Sequence, residues 1–272
     1  MKSLKRILFF FIVLVFNLIQ AQKLQFQNEK NKDGSISIYA DNIYKCPLSV
    51  EIDFSLKNMK REEKNNHIFV IPPSSKKFLI TTLSPKKKGK KYSFSSKSKV
   101  WYGDVTQEIN TDYEYSLPYN ISESYLVSQG YGGKKSHKNE FSLDFDMPVG
   151  TEITAIRGGV VIEVVQKFNK TCPSKKCAKF NNYVIISHND GTIAKYLHIK
   201  KGGARVKIGD EVKKGQLVAL SGNVGWSTGP HLHLEINGFV KGAYQTIKTQ
   251  FKISKEKGNV YLEEDDNFVR EL

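Results

Sequence analysis

The segment His231-Leu232-His233 places two imidazoles two residues apart inside an apolar, strand-like run. Successive side chains of a strand point to opposite faces, so His231 and His233 share one face. Two imidazoles held side by side on a rigid strand suit one metal ligand and one group that handles protons. The same spacing puts Tyr196 and His198 on a common face of another strand-like run, and upstream His137 and Asp144 flank a short polar insert. Two histidines and one aspartate form a nitrogen and oxygen donor set of the kind that holds a catalytic Zn2+ and leaves a fourth position for water or substrate. An isolated His-x-His reads most simply as two ordinary strand histidines. Here five of the chain's six histidines fall between His137 and His233, among glycine-rich turns that let a backbone approach a substrate.

These side chains need a scaffold, and the periodicity of the chain points to strands. Val50, Ile52, Phe54 and Leu56 alternate with Ser49, Glu51, Asp53 and Ser55, the period of a half-buried strand. Residues 35–38, 67–71, 78–83 and 92–94 repeat the idea between turn-like stretches, which predicts a small β-rich N-terminal module, a sandwich, over residues 23–115. A polar bridge over 107–115 leads to a second region, 116–250, with strands expected at 160–165, 183–187, 193–198, 217–220 and 231–236. Asn189-Asp190-Gly191 between two of them is a hairpin turn signal, because glycine tolerates positive φ. No stretch carries an amphipathic helical repeat, so the fold class is mainly β. The tail 251–272 reads as one or two further strands or a loose end.

Composition narrows the class. With 272 residues, 39% of them hydrophobic, the chain has enough apolar side chains to fill a core, and two modest domains are expected. Residues 1–22 read as a secretory signal, with Lys2, Lys5 and Arg6 ahead of the apolar run Ile7 to Phe16 and a small residue, Ala21, at the cleavage point. That run is shorter than the roughly 20 residues a spanning helix needs, although an uncleaved N-terminal anchor is the rival reading. Lysine and arginine exceed the acids by 42 to 27, with the excess concentrated in Lys76-Lys77 and Lys86-Lys87-Lys88-Gly89-Lys90-Lys91. Such a run suits an anionic wall polymer or a plain solvated loop, and export makes nucleic acid an improbable partner. Cys172 and Cys177 are expected to close a small disulfide loop in an oxidising compartment, with a structural zinc pair as the alternative, and Cys46 to be a buried small hydrophobe.

Four ordered blocks carry a family resemblance. The stretch from Ser136-His137 through Leu143-Asp144-Phe145-Asp146-Met147-Pro148-Val149-Gly150-Thr151 resembles the H-x(n)-D-F-x-x-P-x-G-T signature of the LytM/lysostaphin-type zinc endopeptidases, peptidase family M23. Ala155-Ile156-Arg157-Gly158-Gly159-Val160-Val161 is similar to the family's following A-x-x-x-G-x-V strand. Tyr196-Leu197-His198 is similar to its Y-x-H, and Gly225-Trp226-Ser227-Thr228-Gly229-Pro230-His231-Leu232-His233 to its G-x-S-T-G-P-H-L-H block. The resemblance implies an antiparallel β-sheet peptidase domain with a zinc groove, one Zn2+ per chain, and His137, Asp144 and His233 as ligands. It makes His198 and His231 the pair that orients or deprotonates the attacking water, and peptidoglycan peptide stems the substrate. Six residues separate His137 from Asp144 where many members have three, and Asp146 is the alternative ligand. Leu234 replaces the usual Phe, and His188 matches a position that is not catalytic. The rival functions are a catalytically silent wall-binding protein or an activator of another wall hydrolase.

Overall fold

The computed structural model describes residues 24–62, 67–87, 89–254, 256 and 258–271. The signal reading of residues 1–22 lies outside them, as does Lys88 of the lysine run. The chain is nearly all β, as its periodicity predicts. Among the described residues the helical element is a 3-10 turn, Lys175–Phe180.

Two antiparallel sheets build the N-terminal module. One orders the strands Gln25–Lys30, Ile36–Asp41, Phe78–Pro85 and Met59–Arg61; the other orders Ile68–Ile71, Leu48–Lys57 and Ser93–Tyr102. Val50 and Ile52 on the alternating strand are buried with Ile38, Ile80 and Leu83 in one cluster. Strand Ser93–Tyr102 runs well past the expected 92–94. Its Ser95 to Lys99 stretch keeps full register with Leu48–Lys57 while its side chains stay largely in solvent, so no hydrophobic alternation announces it.

The second region centres on a nine-stranded sheet. In spatial order it runs Glu211–Val212, Gly159–Val165, Tyr183–Ser187, Ile193–Leu197, His231–Val240, Ser142–Asp146, Ser124–Gln129 and Asn267–Val269, with Ala243–Thr246 also paired to His231–Val240. One face packs Phe145, Val161, Val184, Ile186, Tyr196, Leu232 and Leu234 into the main core. The opposite face has two uses. Its Ile162, Ile185 and Ile193 join the hydrophobic cluster of the N-terminal module, and its polar half carries the histidines. The two regions therefore share buried apolar surface. Gly191 in the predicted hairpin turn sits at the seam with φ +80°, and a Cβ there would meet the Asp104 carbonyl oxygen at 2.6 Å.

The tail resolves into strands. Phe251–Ser254 pairs in parallel with Tyr115–Ser116 and antiparallel with Gly258–Val260, and Asn267–Val269 caps the large sheet beside Ser124–Gln129. Arg270 donates to the Tyr119 carbonyl at 2.5 Å and to Thr154 Oγ1 at 3.0 Å, which fastens the end of the chain to the sheet. Phe251 is fully buried in the main core. Phe251→Ala is expected to destabilise the protein by about 3–5 kcal/mol, the cost of an unfilled aromatic site, read as a lower midpoint in urea unfolding at unchanged slope.

Candidate metal centre

Strand pairing assembles the cluster. On His231–Val240 the side chains of Leu232, Leu234 and Ile236 go into the core, so His231, His233 and Glu235 face the other way. The antiparallel register sets Asp144 opposite His233 and Asp146 opposite His231. Asp144 Oδ1 lies 2.9 Å from His233 Nδ1 and 3.2 Å from His137 Nε2, and those two nitrogens are 3.2 Å apart. The ligand atoms of His137, Asp144 and His233 all fall within 4.8 Å of one another. Asp146 is exposed and stands outside this set, whereas Asp144 is buried within it.

Each donor is held from behind. His137 is fully buried and its Nδ1–H donates to the Gly130 carbonyl at 3.1 Å, which leaves the Nε2 lone pair pointing into the cluster. His233 Nε2 faces the Glu235 carboxylate at 3.5 Å, and Lys195 pairs with Glu235 at 2.6 Å. Gln129 serves Asp144: its amide Nε2–H donates to Asp144 Oδ2 at 2.9 Å and to Ser136 Oγ at 2.7 Å. Gln129 Oε1 in turn accepts from the backbone N–H groups of Lys135 and Ser136 at 3.1 and 3.0 Å. One buried amide thus ties the loop that delivers His137 to the carboxylate of Asp144. The extra length between the two ligands is taken up by a turn in which Asn139 has φ +64° and the Glu140 N–H donates to the His137 carbonyl at 2.8 Å.

His198 and His231 stand beside this set, with ring centroids 4.6 Å apart. His198 Nδ1–H donates to the Val224 carbonyl at 2.8 Å and His231 Nδ1–H to the Gly229 carbonyl at 2.8 Å. A carbonyl only accepts, so both rings keep Nε2 as the lone-pair nitrogen. His231 Nε2 is 3.9 Å from Asp144 Oδ1. The expected common face of Tyr196 and His198 needs correcting. The strand Ile193–Leu197 ends before His198, which takes φ +63°, so the pleat alternation stops short of it. Tyr196 lies in the core, where its hydroxyl accepts from the Ile156 N–H at 2.9 Å. His188 is buried with its Nδ1–H donating to the Gly158 carbonyl, in keeping with a structural role.

The electrostatics follow from these contacts. Burial opposes ionisation of Asp144, but His137 and His233 hold its carboxyl well below the usual carboxylate range. Burial pulls His233 down, yet Asp144 and Glu235 outweigh it and push the imidazole up to about 9. Glu235 is brought down to about 2 against its burial by His233 and Lys195. Burial, with His231 and His233 close by, lowers His198 to about 3, so this ring is neutral at physiological pH.

A disulfide joins Cys172 and Cys177, as expected, and Cys46 is buried. The loop it closes abuts the histidine pair. Thr171–Cys172 pairs with Gly225–Trp226, the Ser227 N–H donates to the Cys172 carbonyl at 3.2 Å, and Asn181 Oδ1 accepts from the Trp226 N–H at 3.0 Å. The braced segment is flanked by Val224, whose carbonyl anchors His198, and by Ser227, whose Oγ lies 3.2 Å from His231 Nδ1. In the sequence nothing marks Gln129 or Lys195, Glu235 goes unremarked, and Ser227 appears only as a member of the block that ends in His233. Glu235 had a signal, since it continues the period-2 face of His231 and His233; Gln129 had none beyond being polar in a strand that the sequence reading did not place.

The architecture is all-β, and a sheet face together with the loop of His137 brings three nitrogen and oxygen donors close enough to hold a metal ion. The sequence model of peptidase family M23 matches residues 138–246, the stretch that carries most of the site. An uncharacterized metalloprotease of Buchnera aphidicola is 29% identical over 205 residues, covering 72% of this chain and 50% of that protein. The peptidoglycan DD-endopeptidase ShyC of Vibrio cholerae is 40% identical over 113 residues, 40% of this chain and 22% of its own length. Lysostaphin of Staphylococcus simulans is 32% identical over 133 residues, 45% of this chain and 24% of its own. The chain thus spans half the length of the first relative and about a quarter of the other two. The solved catalytic domain of that lysostaphin, at 28% identity, aligns over 46% of this chain and 88% of its own with a TM-score of 0.34.

Two outcomes are expected. His233 folds with its pKa raised from 6.5 to about 9, so in the metal-free protein its contribution to stability is complete below pH 6.5 and disappears as pH rises through about 9. A metal must displace that proton, so zinc uptake at pH 7 releases about one proton per chain and weakens on acidification, measured by calorimetry in buffers of different ionisation enthalpy. The double variant Cys172→Ser/Cys177→Ser is expected to loosen the Gly225–Trp226 segment while leaving the paired strands of Asp144 and His233 intact, read as faster amide hydrogen exchange at Trp226 with unchanged exchange in those strands.

Proposed function

We propose that the chain is an exported zinc-dependent endopeptidase that hydrolyses peptide cross-links of peptidoglycan. The observation that carries this reading is the convergence of His137 Nε2, Asp144 Oδ1 and His233 Nδ1 within 4.8 Å, with His198 and His231 alongside. The donor set fits zinc. It has three nitrogen and oxygen ligands, each with its own buried supporting partner, which is how metal-ligating side chains are held in orientation. When bound, zinc supplies Lewis acidity at the scissile carbonyl and eases deprotonation of water.

The chain's own groups do the rest. The Nε2 lone pairs of His198 and His231 face the space beside the donor set. One imidazole accepts a proton from the attacking water, and the imidazolium so formed hands that proton to the leaving amine as the C–N bond breaks. The second imidazole orients the water by accepting its other hydrogen. No covalent nucleophile is needed.

The printed names of the relatives support the substrate class, since ShyC is called a peptidoglycan DD-endopeptidase. The charged and apolar pattern of residues 1–22 supports export, and the Cys172–Cys177 disulfide suits an oxidising compartment. In this reading residues 23–115 form an accessory module that positions or regulates the peptidase domain at 116–250, whose sheet the tail 251–272 completes. The exposed lysines at 86–87 and 90–91 are a proposed contact for an anionic wall polymer.

His137→Ala, Asp144→Ala and His233→Ala are each expected to abolish stoichiometric zinc, measured by metal analysis of the purified protein. His198→Ala and His231→Ala keep the metal and lower release of soluble muropeptides from purified peptidoglycan by ~10²–10⁴-fold, the usual weight of a general acid–base group. Zinc-loaded wild-type protein that releases no muropeptides would move the assignment to a silent wall-binding or activator role.

A further inference from the structure

The metal cluster borders a cleft of about 500 Å³ that lies between the N-terminal module and the large sheet. Its floor is a row of residues in direct register across four neighbouring strands. Glu235 pairs with Lys195, Lys195 with Ile185, and Ile185 with Glu163. Its roof comes from the N-terminal module, through Val100, Trp101 and Tyr102. Trp101 is itself seated edge-on against Phe239 of the large sheet, with ring centroids 5.5 Å apart.

The row starts beside the donor set, because Glu235 Oε2 is 3.5 Å from His233 Nε2. Strands in a sheet lie about 4.8 Å apart, so three steps put Glu163 roughly 14 Å from Glu235. That is the reach of about four residues of extended peptide at about 3.4 Å each, or fewer if a long side chain makes the last part of the span. A peptide held with one bond at the donor set therefore has the length to enter this cleft.

The charges in the row are not equivalent. Glu235 is matched by Lys195 at 2.6 Å. Glu163 instead accepts hydrogen bonds from two phenols, from Tyr102 of the N-terminal module and from Tyr183 at 3.2 Å. Among the described residues no cation stands in an ion pair with it. A carboxylate has lone pairs for more than two donors. A carboxylate set among Trp101, Tyr102 and Tyr183 offers an ammonium both a charge-assisted hydrogen bond and aromatic faces.

We propose that this cleft is a substrate subsite that takes a primary ammonium carried by the peptide, with Glu163 as the recognising carboxylate and Trp101 as the roof. The inference rests on the peptidase reading of the site, and it makes the N-terminal module part of the substrate-binding surface. Specificity then depends on a residue three strands from the strand of His233 and on an aromatic side chain from another module.

The test uses the zinc-loaded full chain and the tetrapeptide Ala-Glu-Lys-Ala, with its lysine either free or Nε-acetylated, and reads binding by calorimetry. The free-ammonium peptide is expected to bind about tenfold more tightly than the acetylated one, a difference of about 1.4 kcal/mol. Glu163→Gln, in which the amide oxygen still accepts from both tyrosines, is expected to erase that preference at unchanged zinc content. The indole N–H resonance of Trp101, assigned by its loss in Trp101→Phe, shifts on adding the free-ammonium peptide to the wild-type protein. Equal affinity for the two peptides, no binding of either at millimolar concentration, a preference that survives Glu163→Gln, or an unmoved Trp101 resonance would each overturn the subsite. Muropeptide release from peptidoglycan is scored separately, so a failure of catalysis is distinguishable from a failure of recognition.

Discussion

The site depends on one strand register. Asp144 and His233 come from positions far apart in the chain, and the antiparallel pairing of Ser142–Asp146 with His231–Val240 sets them directly opposite each other. A slip of one residue would turn His233 towards the core and bring Leu232 or Leu234 to the polar face. The same register buries Leu143, Phe145, Leu232 and Leu234 on the other side of the sheet. Hydrophobic burial and ligand placement are therefore enforced by a single constraint. The carboxylate of Asp144 then gathers the two imidazoles, and its strongly acidic character is the electrostatic mark of that contact.

Around this pair the protein orients each ring through backbone carbonyls. Gly130, Val224 and Gly229 supply the acceptors for His137, His198 and His231. Because a carbonyl takes only a proton donor, it selects the tautomer as well as the angle of the ring. Irregular segments carry all three carbonyls, so those segments need restraint of their own. The Cys172–Cys177 loop restrains the stretch around Gly225–Trp226, and Gln129 restrains the loop ahead of His137. The regular sheet places Asp144, His231 and His233, and the braced loops place His137 and His198 and supply the carbonyl that orients the His231 ring.

The nine-stranded sheet also shows how one surface serves two purposes. Ile162, Ile185 and Ile193 bury themselves under the N-terminal module, while His231, His233 and Glu235 on the same face remain available to a ligand. The module cannot be removed without uncovering apolar sheet surface, and its Val100, Trp101 and Tyr102 line the same cleft as Glu235, the neighbour of His233. The hydroxyl of Tyr102 reaching Glu163 is a polar contact across that seam.

Much of this was legible in the residues themselves. Period-2 alternation located strands such as Leu48–Lys57 and His231–Val240, the Asn189-Asp190-Gly191 turn located a hairpin, and the five chemical side chains stood out by type and order. Local stereochemistry determines these features, so a linear chain is enough to read them. What only the tertiary structure decided has a different origin. Strand Ser93–Tyr102 is polar along most of its length and is a strand because a partner pairs with it. Tyr196 and His198 part company because a left-handed residue ends the pleat between a core and a site that the sequence does not mark. Gln129 serves Asp144, and Glu163 shares a row with Glu235, only because strands distant in sequence lie side by side. Alternation specifies which face a side chain takes; which strand lies next to it is fixed by non-local packing, and that is where the supporting residues of this site are defined.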